Sequence, residues 1–175
     1  CKEVKIVGDD IDLTYLPIPF TGELEGPPFI TAGISNIRDP DTGWQNTGIR
    51  RFQLKGKRKI NNLILPFQHE AMIFGKYIKK KQPAPLAIVL GADPIYYLAS
   101  QVPAPAQVDE MDMWGAMTGE PLEVVRCETS EILVPARAEI ILEGEMDPVA
   151  REFEGSFPEF SGYYSVFRYA PVVHI

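Results

Sequence analysis

Apolar residues along this chain occur in short runs that are separated by 16 prolines and 14 glycines. This punctuation favours many short strands over a bundle of long helices. Residues 49–54 alternate apolar and polar side chains, which is typical of a half-buried strand, and residues 55–57 then predict a hairpin reversal. The predicted strands cover residues 4–7, 29–37, 49–54, 60–65, 86–90, 122–127, 138–144 and 162–173.

Helical patterns occur in the middle of the chain, over about residues 69–80, 95–100 and 109–118. In the first segment, Ile73 and Tyr77 lie four residues apart and therefore share a face. Asp93 before a proline predicts the start of the second, since aspartate caps a helix and proline fits its first turn. The third segment stops at Gly119. The whole pattern predicts a β-rich α+β domain with a few short helices inserted midway.

The composition limits the kind of protein this chain can be. It has 175 residues, of which 45% are hydrophobic and 23% charged, and this suits one folded domain. Its formal net charge of -7 disfavours binding to nucleic acid or to an anionic membrane surface. It shows no signal peptide, no apolar run of membrane-spanning length and no metal-type cysteine pair. We therefore expect a cytoplasmic protein with reduced thiols.

Candidate metal ligands are few because the chain has only two histidines, His69 and His174. His174 stands next to the C-terminus and is best interpreted as structural. His69 opens the first predicted helix and could act together with Asn46 and Glu110. An imidazole, an amide and a carboxylate do not form a zinc site, but they suit a harder ion such as Mn²⁺ or Mg²⁺. Each also has an ordinary alternative, as a structural histidine, a turn residue and a helix-dipole glutamate.

Two carboxylates lie among aromatic residues in the segment 153–160, which contains Glu154 and Glu159. Gly155 and Pro158 exclude a regular helix, so this segment forms a shaped loop. A carboxyl group that phenylalanine and proline desolvate can act as a proton donor. The same spacing also fits two surface glutamates whose phenylalanine neighbours face inward, and spacing alone favours this second interpretation.

A series of short motifs follows in a specific order along the chain. They are Leu16-Pro17-Ile18-Pro19, Phe29 to Gly33, Arg38-Asp39-Pro40, Asn46 to Arg51, Gln68-His69, Pro103-Ala104-Pro105, Glu110 with Gly115, Cys127-Glu128-Thr129, Val134-Pro135, Glu139 to Gly144 and Glu154 to Gly162. In this order they resemble the central part of the UbiD family of prenylated-FMN-dependent decarboxylases. The resemblance runs from about residue 12 to about residue 165.

This resemblance implies a cofactor site. Asn46, His69 and Glu110 match the family positions that hold a divalent ion, usually Mn²⁺, against the cofactor phosphate, whose charge the ion offsets. The resemblance also implies a potassium ion near Ser100. By the same resemblance, the residues that line the prenylated FMN or its phosphate are Thr31, Gly48, Ile49, Arg51, Gln68, His69, Ser100 and Glu110. At two positions, Gly48 and Arg50, the chain departs from the residues that relatives often carry.

Arg51, Glu154 and Glu159 match the family's set of one arginine and two glutamates. The resemblance implies that the substrate adds to the prenylated flavin, which acts as an electron sink, and that CO2 then leaves. Glu159 would protonate the carbon that lost CO2. Arg51 would orient the carboxylates and the substrate, and its charge would keep Glu154 ionised.

The fold implied by the resemblance is a split β-barrel of the flavin-reductase type. The implied activity is reversible non-oxidative decarboxylation of an aromatic, heteroaromatic or α,β-unsaturated acid. Relatives carry further domains on both sides, and this chain begins with Cys1 rather than Met. We therefore interpret residues 1–175 as the central domain of a longer subunit, completed by its other domains or by another chain, and we expect a homo-oligomer.

Two alternative functions stay open at this point. The first is a non-catalytic flavin- or metal-binding subunit of a larger carboxylase, which would have no need of Arg51, Glu154 and Glu159. The second is an FMN oxidoreductase, for which a shared barrel fold alone is weak evidence.

Overall fold

The computed structural model describes all residues from Cys1 to Ile175. Two short 3-10 turns, Gly8–Asp10 and Leu13–Tyr15, come before eight strands and three α-helices. These elements are β1 (Phe29–Arg38), β2 (Gln45–Gly56), β3 (Lys59–Asn62), α1 (His69–Lys80), β4 (Ala84–Leu90), α2 (Pro94–Ala99), α3 (Glu110–Thr118), β5 (Val124–Arg126), β6 (Leu133–Pro135), β7 (Ile140–Glu154) and β8 (Arg168–His174). None of the helices has the length and apolar character that crossing a membrane would require.

Six of the strands close into an antiparallel barrel. Their spatial order is β1-β2-β3-β8-β7-β4, and β4 returns to pair with β1. The remaining strands, β5 and β6, form a separate two-stranded hairpin. The prediction of a β-rich α+β fold, with a barrel and a few short inserted helices, is confirmed.

The alternation of side chains along β4 shows how the barrel wall separates two apolar clusters. Leu86 and Ile88 belong to the first cluster, which also contains side chains of α1. Ala87 and Val89 belong to the second, which contains side chains of α2, α3 and the β5–β6 hairpin. Because successive residues of a strand point to opposite faces, one strand supplies both clusters. The wall is therefore buried on both sides here, which explains the continuous apolar run of β4.

A β-bulge in β1 changes the pairing next to β2. The register shifts between Ile30 and Gly33, so Thr31 and Ala32 lie together opposite Arg51. A bulge of this kind adds one residue to a strand, bends it locally and is common beside active sites. The bulge brings the predicted cofactor residue Thr31 next to the predicted catalytic residue Arg51.

The strand predicted over residues 4–7 is wrong. This segment forms no strand, and the side chains of Val4, Ile6 and Val7 are exposed. A strand exists only where its N–H and C=O groups pair with a neighbouring strand, and residues 4–7 pair with none. The run of apolar residues near the start of the chain therefore does not mark a strand.

The C-terminal strands differ from the prediction in their ends. The strand predicted over 138–144 continues to Glu154 as β7, whereas the one predicted over 162–173 begins only at Arg168 as β8. Pro148 suggests a strand break, but the structure absorbs it in an irregular stretch where the carboxylate of Asp147 accepts hydrogen bonds from two backbone N–H groups. This local cap allows pairing with β8 to resume afterwards.

Candidate active site

Arg51 of β2 contacts both glutamates that were predicted to be catalytic. Its Nε and Nη2 atoms donate to the two carboxylate oxygens of Glu154, at 3.2 and 2.8 Å. Its Nη1 atom donates to Oε1 of Glu159 at 2.6 Å. Nη2 also lies 3.4 Å from Oγ of Ser165, which accepts from it. One guanidinium therefore holds two carboxylates that are more than a hundred residues away in sequence.

The two carboxylates differ in their access to solvent. The side chain of Glu154 is 0% exposed, that of Arg51 is 15% exposed and that of Glu159 is 38% exposed. Burial opposes the charge of Arg51, but hydrogen bonds and attraction from both glutamates outweigh it and raise the pKa of Arg51 above its ordinary value. The group is thus a fixed ion pair with a second carboxylate that a small molecule can reach.

Two phenylalanine rings lie against the guanidinium of Arg51. The ring centre of Phe157 lies 4.8 Å from Cζ of Arg51, and that of Phe29 lies 6.0 Å from it. The two rings contact each other edge to face, with centres 5.0 Å apart. Such rings attract a cation and displace water from it, so they strengthen the ion pairs beside them.

Gln53 holds the chain immediately after Glu154. Its side-chain oxygen accepts a hydrogen bond from the N–H of Gly155 at 2.9 Å, and its side-chain nitrogen donates to the carbonyl of Pro27 at 3.2 Å. Gln53 is fully buried, and a Cβ at residue 155 would lie only 2.9 Å from its nitrogen. No motif in the sequence singles out Gln53. Its position two residues after Arg51, on the same face of a predicted strand, is the signal that could have found it.

Most of the predicted metal and cofactor residues line one cavity of about 220 Å³. It lies between β2, the start of α1, the end of α2 and the start of α3. The predicted residues among its lining are Asn46, Gly48, Gln68, His69, Ser100 and Glu110. These residues come from four separate parts of the chain, and folding gathers them in one place.

Hydrogen bonds orient two of the three predicted metal ligands. The buried carboxylate of Glu110 accepts from the side-chain nitrogen of Asn46 and from the N–H of Thr47, each at 2.8 Å. The side-chain amide oxygen of Asn46 makes no hydrogen bond within the chain, so it is available to bind a metal ion. Burial raises the pKa of Glu110, while these donors act in the opposite direction. The ring of His69 packs edge to face on Trp44, with centres 5.2 Å apart.

The donor set fits a hard divalent ion. No cluster of three His, Cys, Asp or Glu side chains is arranged for a metal, so the set depends on the Asn46 amide. One nitrogen and two types of oxygen ligand, with positions left for phosphate or water, suit Mn²⁺ or Mg²⁺ better than Zn²⁺. The residues present therefore fit the expected ion, and their role as its ligands stays a prediction.

Comparison with known proteins now identifies the family. The family model described as UbiD, 3-octaprenyl-4-hydroxybenzoate carboxy-lyase Rift-related domain, matches residues 1–175. The chain belongs to the UbiD family. The resemblance inferred from the ordered motifs is thereby confirmed.

Solved UbiD-class structures share this fold. An evolved dimeric form of HmfF from Pelotomaculum thermopropionicum, in complex with prFMN, is 41% identical with a TM-score of 0.92, covering 96% of this chain and 39% of that chain. Vanillic acid decarboxylase of Sedimentibacter hydroxybenzoicus, in its closed form, is 30% identical with a TM-score of 0.92, covering 97% and 37%. The apo 3,4-dihydroxybenzoic acid decarboxylase AroY of Klebsiella pneumoniae is 28% identical with a TM-score of 0.88, covering 95% and 37%. This chain therefore spans less than two fifths of each of these proteins.

In this UbiD-family chain, the neighbouring residues Arg50 and Arg51 point to opposite faces of β2. Arg50 donates to Glu70 of α1, whereas Arg51 donates to Glu154 at the end of β7. Adjacent residues of a strand point to opposite sides, which accounts for the difference. The 220 Å³ cavity is not lined by the predicted site residues Thr31, Ile49, Arg51, Glu154 or Glu159. Of these, Ile49 packs against the second apolar cluster.

A larger cavity of about 570 Å³ lies elsewhere, between the β1–β2 turn and the β5–β6 hairpin. None of the predicted UbiD-type site residues lines it. Its arginines are engaged within the chain, since Arg38 donates to the carbonyl of Gly43 and Arg126 pairs with Glu131. The predicted site residues therefore lie around the smaller cavity and in the Arg51 cluster, and none lies in the larger cavity.

Proposed function

We propose that this chain is the central cofactor-binding domain of a UbiD-type decarboxylase. The proposed reaction is the reversible, non-oxidative removal of CO2 from an aromatic, heteroaromatic or α,β-unsaturated carboxylic acid. The observation that carries this proposal is the guanidinium of Arg51 holding one buried carboxylate, Glu154, and one accessible carboxylate, Glu159. The names of the similar solved structures, which include two aromatic acid decarboxylases, support the same substrate class.

The proposed cofactors are prenylated FMN and a divalent ion, Mn²⁺ or Mg²⁺, with a potassium ion near Ser100. Asn46, His69 and Glu110 would hold the divalent ion against the flavin phosphate. The similar HmfF structures contain prFMN in one case and FMN in the other, which supports a flavin. When bound, the prenylated flavin would supply an electron sink for the carbon that loses CO2.

Glu159 is the proposed proton carrier. It combines solvent access with a hydrogen bond to Arg51, so it can exchange a proton with a bound substrate. The cluster of one guanidinium and two carboxylates has one excess negative charge, and the uptake of one proton neutralises it. Both oxygens of Glu154 are already bound by Arg51, so the added proton belongs on Glu159. In the decarboxylation direction, Glu159 delivers this proton to the carbon that lost CO2.

Arg51 and its neighbours position this chemistry. The two-point contact between Arg51 and Glu154 keeps the guanidinium in place while Glu159 changes its protonation. Phe157 and Phe29 keep water away from one side of the guanidinium. We propose that further domains of a longer subunit, or another chain of a homo-oligomer, complete the walls around the carboxylic acid.

The experiment that tests this proposal measures the flavin and the reaction separately. Denaturing mass spectrometry of the flavin released from the full-length protein should show a mass above that of FMN by one prenyl group. Glu159→Gln should abolish turnover of an aromatic acid while the flavin and Mn²⁺ stay bound. Ordinary FMN in a redox-active protein would support an oxidoreductase, and a Glu159→Gln variant with normal turnover would exclude the proposed proton carrier.

A further inference from the structure

Arg50 brings a cation to the 220 Å³ cavity that also contains the predicted metal ligands. Its Nε atom donates to Oε2 of Glu70 at 2.6 Å, and its Nη1 atom donates to the carbonyl of Ile49 at 2.8 Å. Its Nη2 atom makes no hydrogen bond within the chain. The side chain is only 12% exposed, so this guanidinium is largely desolvated and still has donors to offer.

Glu70, in the first turn of α1, holds the guanidinium of Arg50 in place. Its carboxylate is 1% exposed and also accepts hydrogen bonds from Oγ of Ser35 at 2.8 Å and Nδ2 of Asn62 at 2.7 Å. With the bond from Arg50, three donors from three barrel strands hold this one side chain of α1. A carboxylate with so many partners cannot turn easily, and the arginine that it binds is therefore preorganised.

Gly48 makes room for this arrangement. It lies two residues before Arg50 on the same face of β2. A Cβ at residue 48 would lie 2.9 Å from Nη1 and 3.2 Å from Cζ of Arg50. A side chain at residue 48 would therefore displace the end of the guanidinium from its present position beside the glycine. The two positions where the chain departs from many relatives, Gly48 and Arg50, thus form one structural unit.

We infer that Arg50, held by Glu70, is a second cationic anchor for the flavin phosphate, in addition to the divalent ion. This inference rests on the proposed function, since it assumes that a flavin phosphate enters this cavity. Glu110 repels a phosphate dianion, so the divalent ion remains necessary. Arg50 adds directed N–H donors, which suit phosphate oxygens better than a point charge does. Glu70 balances the charge of Arg50. The arginine therefore provides directed donors for phosphate without making the cavity strongly positive.

The test compares FMN with riboflavin, which has the same ring system but no phosphate. Binding of each to the flavin-free full-length protein is measured by calorimetry in the presence of Mn²⁺. Arg50→Gln alone would leave Glu70 buried without its cation, so the main variant is Arg50→Gln with Glu70→Gln. This pair removes both charges and retains amide hydrogen bonding. We expect FMN affinity to fall by roughly 10- to 100-fold, while riboflavin affinity is unchanged.

Arg50→Lys serves as a second variant, because it retains the charge beside Glu70 and loses the fork of donors. It should weaken FMN binding less than the double variant, and it provides the same comparison if the double variant does not fold. Equal losses for FMN and riboflavin, or no loss for either, would overturn the inference and assign Arg50 to packing. If the unmodified protein showed no preference for FMN over riboflavin, the phosphate site itself, and with it the proposed function, would be wrong.

Discussion

The guanidinium of Arg51 binds the carboxylate of Glu154 through two hydrogen bonds, of 3.2 and 2.8 Å, inside the protein, where that carboxylate has no contact with solvent. This pair connects the middle of β2 with the end of β7. An ion pair at such a place contributes to both the fold and the proposed reaction, because removal of either partner leaves a buried charge uncompensated. Stability and activity can still be separated, since Glu159 shares the same arginine from a more exposed position.

Arg51→Met should destabilise the protein strongly. It leaves Glu154 buried without a cation, and we expect the free energy of unfolding to fall by about 3–5 kcal/mol in urea titrations at pH 7. The double change Arg51→Met with Glu154→Gln should recover a large part of this loss. Glu159→Gln is the matched control and should cost less than about 1 kcal/mol, since that carboxylate is partly solvated. An Arg51→Met variant as stable as the control would show that the ion pair does not contribute to the stability of the fold.

The helices could be predicted from the sequence because their signals are local. Asp93 and Asp109 accept hydrogen bonds from the N–H groups two residues later, as N-cap aspartates do. Gly119 takes a φ of 80° at the end of α3, a backbone conformation that favours glycine. These caps lie within a few residues of the helices that they define, so no knowledge of the tertiary structure is needed.

The strands were harder to predict because their ends depend on distant partners. β6 was not predicted at all, since its three residues become a strand only by pairing with β5. In the same way, the barrel partner β8 carries β7 past Pro148. Period-2 patterns show that a strand exists, but hydrogen bonds across the sheet decide where it stops.

The candidate site was likewise predicted only in part. The ordered motifs named Arg51, Glu154 and Glu159, and the structure brings them into contact. They did not indicate Gln53 or Glu70, whose partners come from other segments of the chain and leave no local sequence pattern. An amide or carboxylate in a sequence does not reveal that it will be fully buried, and here burial is what makes these side chains positioning residues.

His69→Ala should reduce metal binding. If His69 is a ligand, the variant loses the only imidazole in the cavity, and Mn²⁺ affinity should fall by at least about tenfold. Occupancy is measured by elemental analysis of the purified protein, and FMN binding should weaken in parallel because the ion offsets phosphate charge. His174→Ala is the control, since that histidine ends β8 and does not line the cavity. Full Mn²⁺ occupancy in His69→Ala would remove His69 from the ligand set.

Gln53→Leu should lower the turnover rate more than it changes substrate binding. The change removes the hydrogen bonds to Gly155 and Pro27, so the chain after Glu154 loses its support. The loss of these two partly buried hydrogen bonds should cost about 1–3 kcal/mol of stability. We expect kcat to fall by at least about tenfold with a smaller change in KM, because a displaced Glu154 also displaces Arg51. Gln82→Leu, at an exposed glutamine after α1, should change neither quantity, and unchanged kcat in Gln53→Leu would limit Gln53 to a packing role.

Lys76→Met should lower stability in a way that depends on pH. The Nζ atom of Lys76 lies 2.6 Å from Oδ2 of the buried Asp39. Burial disfavours the charged carboxylate, but hydrogen bonds from Lys76 and from two backbone N–H groups outweigh it and hold the pKa of Asp39 below its ordinary value of 3.8. The folded protein therefore takes up this proton less readily than the unfolded chain does. The resulting stability is present above pH 3.8 and is lost as the pH falls through the lower folded-state pKa.

The measurement is a series of thermal melts between pH 7 and pH 2. At pH 7, Lys76→Met should melt roughly 2–4 °C below the unmodified protein, and the difference should shrink once the pH falls below 3.8. Lys79→Met is the control, because Lys79 is an exposed lysine of the same helix and forms no ion pair. A deficit that stayed constant down to pH 2 would mean that the lysine acts through its aliphatic chain. The pairing of Lys76 with Asp39 would then be irrelevant to the stability of the β1–β2 turn.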